Sequence, residues 1–306
     1  MAEFNAYNPS PAFLKRRRFI DRLMRVLLFL SAALSIFVTT AIIYVLVSES
    51  WNFFSQVPIT TFLTDTEWTP VFAKPRYGIL PLLTATLWAA GIAIAIAIPM
   101  GTALAVYLSE YARPGVREIV KPMLELLGGV PTVVFGYFAL LFITPLLQKI
   151  IPGLTSFNLL APGIVLGIMI LPYIVSISED AMRAVPASLR EGAYALGMTK
   201  LQTSFKVIIP GAFSGITAAY LLGMSRAVGE TMVLAIAAGQ NPNLTADPRE
   251  GAATITSYIV QMSLGDLPHG SLAYQTIFAA GLALFAMTLI FNIIGFFMRR
   301  RFREAY

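Results

Sequence analysis

The stretch Val26 to Val47 reads VLLFLSAALSIFVTTAIIYVLV, 22 residues without a charge. As a helix rising about 1.5 Å per residue it reaches about 33 Å, enough to cross the hydrocarbon core of a bilayer. Lys15, Arg16, Arg17 and Arg18 precede it, as they would a secretory signal. Its apolar core is longer than a signal's and no small-x-small cleavage pattern follows, so retention as a first span is expected. Five more apolar stretches follow, approximately 79–108, 126–147, 159–177, 213–238 and 273–298. The reading is an all-α integral membrane protein with six transmembrane helices. A basic segment 1–25 and a basic tail 299–306 flank the expected membrane domain, 26–298.

Composition points the same way. Of 306 residues, 57% are hydrophobic and 12% charged, whereas an ordinary soluble domain carries about a quarter charged residues. The absence of Cys and the single His exclude thiolate metal sites, Cys nucleophiles and disulfides, and leave too few soft ligands for a transition-metal centre. The net charge of +6 sits in short basic runs beside apolar stretches. That is the pattern of membrane flanks, so no nucleic acid is expected as a partner.

Lys and Arg also set the orientation, because they accumulate in short cytoplasmic segments. The amino-terminal segment holds Lys15, Arg16, Arg17, Arg18, Arg22 and Arg25, and the inner segment near 110–125 holds Arg113, Arg117 and Lys121. The inner segment near 178–212 holds Arg183, Arg190, Lys200 and Lys206, and the tail Arg299, Arg300, Arg301 and Arg303. Outer segments near 48–78, 148–158 and 239–272 hold only Lys74, Arg76, Lys149 and Arg249. Both termini are therefore expected in the cytoplasm. Trp51, Phe53, Phe54 and Trp68 in the first outer segment form either a docking surface or an interfacial aromatic belt. Ala252 to Met262 is expected as a short helix lying on the membrane, and His269 as a surface residue.

Two segments carry candidate function. Glu191 to Pro210 reads EGAYALGMTKLQTSFKVIIP, a helix and a second helix separated by a turn at Gly197. Such a projection fits a cleft in a soluble partner, although an amphipathic connector would look similar. In the fifth apolar stretch, Arg226 is the fourteenth of 26 residues. A charge so deep costs about 2.5 to 3.5 kcal/mol and usually faces a protein-lined cavity. Glu230 lies four residues on, within pairing reach on an unbroken helix. The two form either a fixed ion pair or a site where the Arg226 fork meets an oxyanion. Ser225 adjoins Arg226. In the third stretch, Gly128, Gly129 and Pro131 predict a bend or break that exposes backbone groups, with the Thr132 hydroxyl beside it; a kink for packing is the alternative. No G-x-x-x-x-G-K-[ST] sequence occurs, so energy must come from a partner.

Glu191, Gly192, Ala193, Gly197, Val207, Ile209 and Pro210 resemble the EAA loop of bacterial ABC importer permeases, E-A-A-x(3)-G-x(9)-I-x-L-P, with Gly192, Val207 and Ile209 as departures. Gly129 to Leu140, GVPTVVFGYFAL, and Ser225 to Gly239, SRAVGETMVLAIAAG, resemble the PstC-type permeases of phosphate-specific importers. The likeness runs from about residue 20 onward. It implies the type I importer permease fold, a multi-pass protein of the cytoplasmic (inner) membrane, and a non-enzymatic subunit of a phosphate importer. The implied partners are a PstA-type permease as heterodimer, two PstB-type ATPases holding ATP and Mg2+, a PstS-type phosphate-binding protein and membrane lipid. No cofactor is implied in this chain. Glu191 through about Lys200 becomes the coupling helix of a loop spanning about 179–212, and Arg226 and Glu230 the implicated pathway pair. Glu230 would hold Arg226 when the pathway is empty and accept a hydrogen bond from protonated phosphate, which sulfate does not offer. Sulfate and molybdate permeases share a related Arg-Ala-x-Gly-Glu string, so another oxyanion is the alternative, and a lone secondary carrier a more distant one.

Overall fold

A computed structural model describes residues 11–301, without the side chains of 11, 12, 299 and 301. Residues 1–10 of the expected amino-terminal segment and 302–306 of the expected tail lie outside the described residues. The chain falls into two units, Met1–Glu49 and Ser50–Tyr306. The first is carried by α1, Pro11–Phe54, a continuous helix of 44 residues. At about 66 Å it is roughly twice as long as a hydrocarbon core is thick, so the basic turns extend past the apolar run.

The second unit contains α2 (Ile59–Thr64), α3 (Leu80–Val106) running into a π turn at Tyr107–Tyr111, and α4 (Pro114–Gly128). Next come α5 (Thr132–Phe138), a π turn at Ala139–Ile143, α6 (Thr144–Gln148) and α7 (Leu160–Arg183). They are followed by α8 (Ala187–Ala195), α9 (Lys200–Thr203), a π turn at Ser204–Ile208 and α10 (Ile209–Gly211). The order ends with α11 (Phe213–Val228), α12 (Met232–Ala237), α13 (Ile255–Ser263) and α14 (Leu272–Arg301). Among the described residues there is no strand, only an isolated bridge between Trp68 and Tyr77. Among the described residues four helices are long and apolar enough to cross a membrane, or up to six spans if each of two bent pairs counts as one.

Small residues bring α3 and α7 together. Ala89, Ala93, Ala97 and Gly101 repeat every four residues on α3, and Gly163 and Gly167 do so on α7. The two helices run parallel: a Cβ on Gly163 would lie 3.0 Å from Ile92 Cβ, one on Gly167 3.0 Å from the Ala93 carbonyl, and one on Gly101 2.7 Å from Ile174 Cγ2. Lipid tails are as apolar as leucine, so close van der Waals packing takes over the task that water exclusion performs in a soluble core. α11 packs antiparallel on the same helix, with Gly223 against Ile174 and Gly215 against Ala181.

Two expected spans are broken. α4 and the helix beginning at Thr132 meet at 89°, because Pro131 supplies no amide to continue the ladder. Most of the inner segment 110–125 is thus helical, as α4. The fifth stretch contains two helices, α11 ending at Val228 and α12 beginning at Met232.

The loops 50–79 and 239–271 pack together. Phe53 and Trp68, expected on a docking surface or belt, are 0% and 1% exposed, and Trp68 sets its ring edge-on to Tyr258 of α13 at 5.1 Å. Trp51 is the exposed member, while Phe54 is half-buried. The short helix expected over Ala252 to Met262 forms but does not lie on a surface. Ala252 to Tyr258 are buried, and the Ile255 amide donates to Thr86 Oγ1 on α3 at 3.0 Å. Polar residues Thr254, Thr256 and Ser257 satisfy one another at its amino terminus, which lets the helix enter the protein interior. Outside the bundle, the Arg76 guanidinium holds the Asp65 carboxyl below its ordinary pKa through a two-pronged hydrogen bond.

Candidate functional site

Ser225 and Arg226, both half-buried, occupy the last turn of α11. Unpaired carbonyls at a helix end carry partial negative charge, which lowers the cost of a cation there. The guanidinium carbon of Arg226 lies 4.6 Å from the centre of the Tyr173 ring on α7. Its Nε is buried without a hydrogen-bond partner, and no ion pair joins it to a carboxylate among the described residues.

Glu230 is turned elsewhere. It is 7% exposed, and its Oε1 accepts from the amides of Met232 at 3.2 Å and Val233 at 3.4 Å. These are free donors at the start of α12. The Glu230 carbonyl in turn accepts from Thr256 Oγ1 of α13 at 2.7 Å. The pairing expected between Arg226 and Glu230 is therefore not formed. Residues four apart are neighbours only on one continuous helix, and α11 caps at Gly229 between them. Each charge is met by a helix end instead of by the other charge.

Thr132 is the first residue of α5, half-buried behind Pro131. The third-stretch break lies close to the fifth: a Cβ on Gly136 would come within 3.1 Å of Ile236 Cβ and 3.2 Å of the Met232 carbonyl. A Cβ on Gly128 would sit 3.7 Å from the Tyr173 hydroxyl. Tyr173 thus touches both the guanidinium and the end of α4. Nothing in the sequence marked it, since a tyrosine in an apolar helix carries no charge or spacing signal. The arrangement gives a cation over an aromatic ring, beside two helix breaks and in no ion pair among the described residues. Such a group can offer its donors to an oxyanion.

At the other end of α7, Glu191 and Gly192 are exposed on α8 and Ala193 is buried. Gly197 has φ +78°. The Met198 amide bonds to the Ala193 carbonyl and the Gly197 amide to the Tyr194 carbonyl, closing α8 with a left-handed residue that glycine adopts without strain. α9 starts with a capping box between Thr199 and Gln202. Pro210 has no amide, and the ladder before it widens into the π turn Ser204–Ile208. Leu196 at the end of α8 is 85% exposed, and Leu201 of α9 and Phe205 of the π turn are each 60% exposed. Large apolar side chains left exposed beside this turn are available to a partner.

A family model described as the binding-protein-dependent transport system inner membrane component matches residues 97–304. The probable ABC transporter permease protein YqgH of Bacillus subtilis is 38% identical, over 76% of this chain and 75% of its own. The phosphate transport system permease protein PstC of Mesorhizobium japonicum is 32% identical over 84% and 83%. PstC 1 of Mycobacterium tuberculosis is 34% identical over 78% and 81%. In solved structures, a bacterial alginate ABC transporter chain aligns with a TM-score of 0.63 at 16% identity, covering 94% of this chain and 100% of its own. The inward-facing MetNI methionine transporter aligns at 0.54 and 20%, covering 74% and 95%. At these identities the structures bear on the fold, and it is that of ABC importer permeases. The chain belongs to the binding-protein-dependent transport system inner membrane component family, among its PstC-type permeases.

Proposed function

We propose that this chain forms half of the pathway of an ATP-driven phosphate importer and that Arg226 meets the anion in transit. The observation that carries the reading is a guanidinium at a break in the fifth stretch, over the Tyr173 ring and in no ion pair among the described residues. Relatives named phosphate permeases support the choice of anion. Glu230 commits Oε1 to the backbone, which leaves Oε2 to accept from a proton-bearing phosphate. The Thr132 and Ser225 hydroxyls are further pathway donors. A PstA-type permease completes the pathway, and a PstS-type protein delivers phosphate. Two PstB-type ATPases, holding ATP and Mg2+, bind on the inner side, and one of them receives the coupling helix from Glu191 through about Lys200 of this chain. The basic ends face the cytoplasm, and the protein resides in the cytoplasmic membrane.

The test is uptake of labelled phosphate and sulfate by the four-component complex in proteoliposomes with ATP inside. Phosphate uptake that requires both ATP and the binding protein is expected. Sulfate uptake in its place would reassign the anion, and ATP-independent uptake down an ion gradient would identify a secondary carrier.

A Gly197→Val variant addresses the docking surface. A side chain held at positive φ costs about 1 to 2 kcal/mol, so the turn opens and α8 and α9 lose their fixed relation. Retention of the ATPase on the purified permease is expected to fall roughly tenfold, read by pull-down, with the permease itself still folded.

A further inference from the structure

Glu179 on α7 is the most deeply buried carboxylate in the described chain, with 0% exposure. Three cations surround it: Arg117 Nε at 2.8 Å and Lys121 Nζ at 2.9 Å from α4, and Arg183 Nε at 3.7 Å from its own helix. Lys121 also reaches Asp180 at 2.6 Å. The pathway described above does not use this cluster.

Its position on two rods is informative. Lys121 on α4 lies opposite Glu179 and Asp180 on α7, while Gly128 on α4 lies opposite Tyr173 on α7. α4 therefore runs antiparallel along α7, and both intervals amount to about two helical turns, roughly 10 Å. The ion cluster locks one end of this seam, and the Tyr173–Arg226 stack together with the Gly129–Pro131 break forms the other. Beyond the cluster, Arg190 of α8 donates to the carbonyls of Val185 at 2.6 Å and Met182 at 2.7 Å. The same guanidinium pairs with Glu110 at 3.2 Å. α8 is thus fastened to the last turn of α7, one turn from Glu179.

We infer that Glu179 is a positioning residue, locking α4 to α7 so that displacement of α8 reaches Arg226 and the Gly129–Pro131 hinge as one movement. This rests on the transport reading above. An ionic lock suits the task better than an apolar one. Burying the Glu179 carboxylate makes the cluster weak evidence for stability, but the geometry it permits is discrete, closed or open, which a transmitted stroke requires. If Glu179 only held the fold, its loss would lower every activity of the complex together. If it transmits, its loss separates ATP hydrolysis from transport.

The test measures phosphate uptake and ATP hydrolysis side by side in proteoliposomes for the wild type, Glu179→Gln and Lys121→Met. Lys121→Met keeps Arg117 and Arg183 on Glu179 and serves where Glu179→Gln fails to assemble. ATP consumed per phosphate is expected to rise roughly tenfold in Glu179→Gln and about threefold in Lys121→Met. Uptake and hydrolysis falling in equal proportion, with an unchanged ratio in every variant that assembles, would overturn the inference. A wild-type complex that hydrolyses ATP without moving phosphate would instead defeat the transport reading on which the inference stands.

Discussion

Phosphate uptake by the assembled importer falls at least about a hundredfold when Arg226 becomes alanine, and about tenfold when it becomes lysine. Alanine removes the only positive charge proposed to meet the anion. Lysine keeps the charge but not the plane that lies 4.6 Å over Tyr173, and an ammonium cannot present a fork to two phosphate oxygens. The stack itself contributes about 1 to 2 kcal/mol in a desolvated site, so Tyr173→Leu should sit between the two variants. Rates are read at saturating binding protein, with ATPase retention on the permease as the check on assembly. Uptake by Arg226→Ala at the wild-type rate would remove Arg226 from the pathway.

The second large effect is on folding. Gly167→Leu should abolish recovery of folded permease, because its Cβ would lie 3.0 Å from the Ala93 carbonyl and 3.2 Å from Ile96 Cβ. Neither atom is the free end of a flexible side chain, so α3 and α7 must separate. Overpacking a tight core costs about 1 to 3 kcal/mol where side chains can adjust, and here backbone must move. Gly167→Ala should therefore cost about 2 kcal/mol and lower the unfolding temperature of the detergent-solubilised complex by several degrees. Unchanged melting of both variants would mean that the α3–α7 contact is looser than its geometry indicates.

Much of this molecule is legible in its residue order. A run of 22 uncharged residues must be helical in lipid, where each backbone amide has to be satisfied within its own segment. Gly129 and Pro131 announce the break at the end of α4, and Gly197 announces the left-handed turn that closes α8. Arg226 and Glu230 stand out because charge in an apolar stretch is costly wherever it lies. All these signals are local, written in spacing of a few residues.

What the order could not convey depends on neighbours distant in sequence. Arg226 and Glu230 look like a pair at four residues, yet a helix end at Gly229 sends one to Tyr173 and the other to the amides of α12. Phe53 and Trp68 look like surface aromatics until Phe62 and Tyr77 pack on the first and Tyr258 of α13 on the second, and α13 looks like a surface helix until Thr86 and Glu230 receive its polar end. Glu179 shows only Arg183 at a local spacing, since its two nearer cations, Arg117 and Lys121, come from about sixty positions earlier. Sequence by itself determined which segments are helical, where they break and which charges are too costly to be idle, because those follow from backbone chemistry and solvation along the chain. Only the tertiary structure decided who meets those charges, because a partner is chosen by packing, and packing brings together what the chain holds apart.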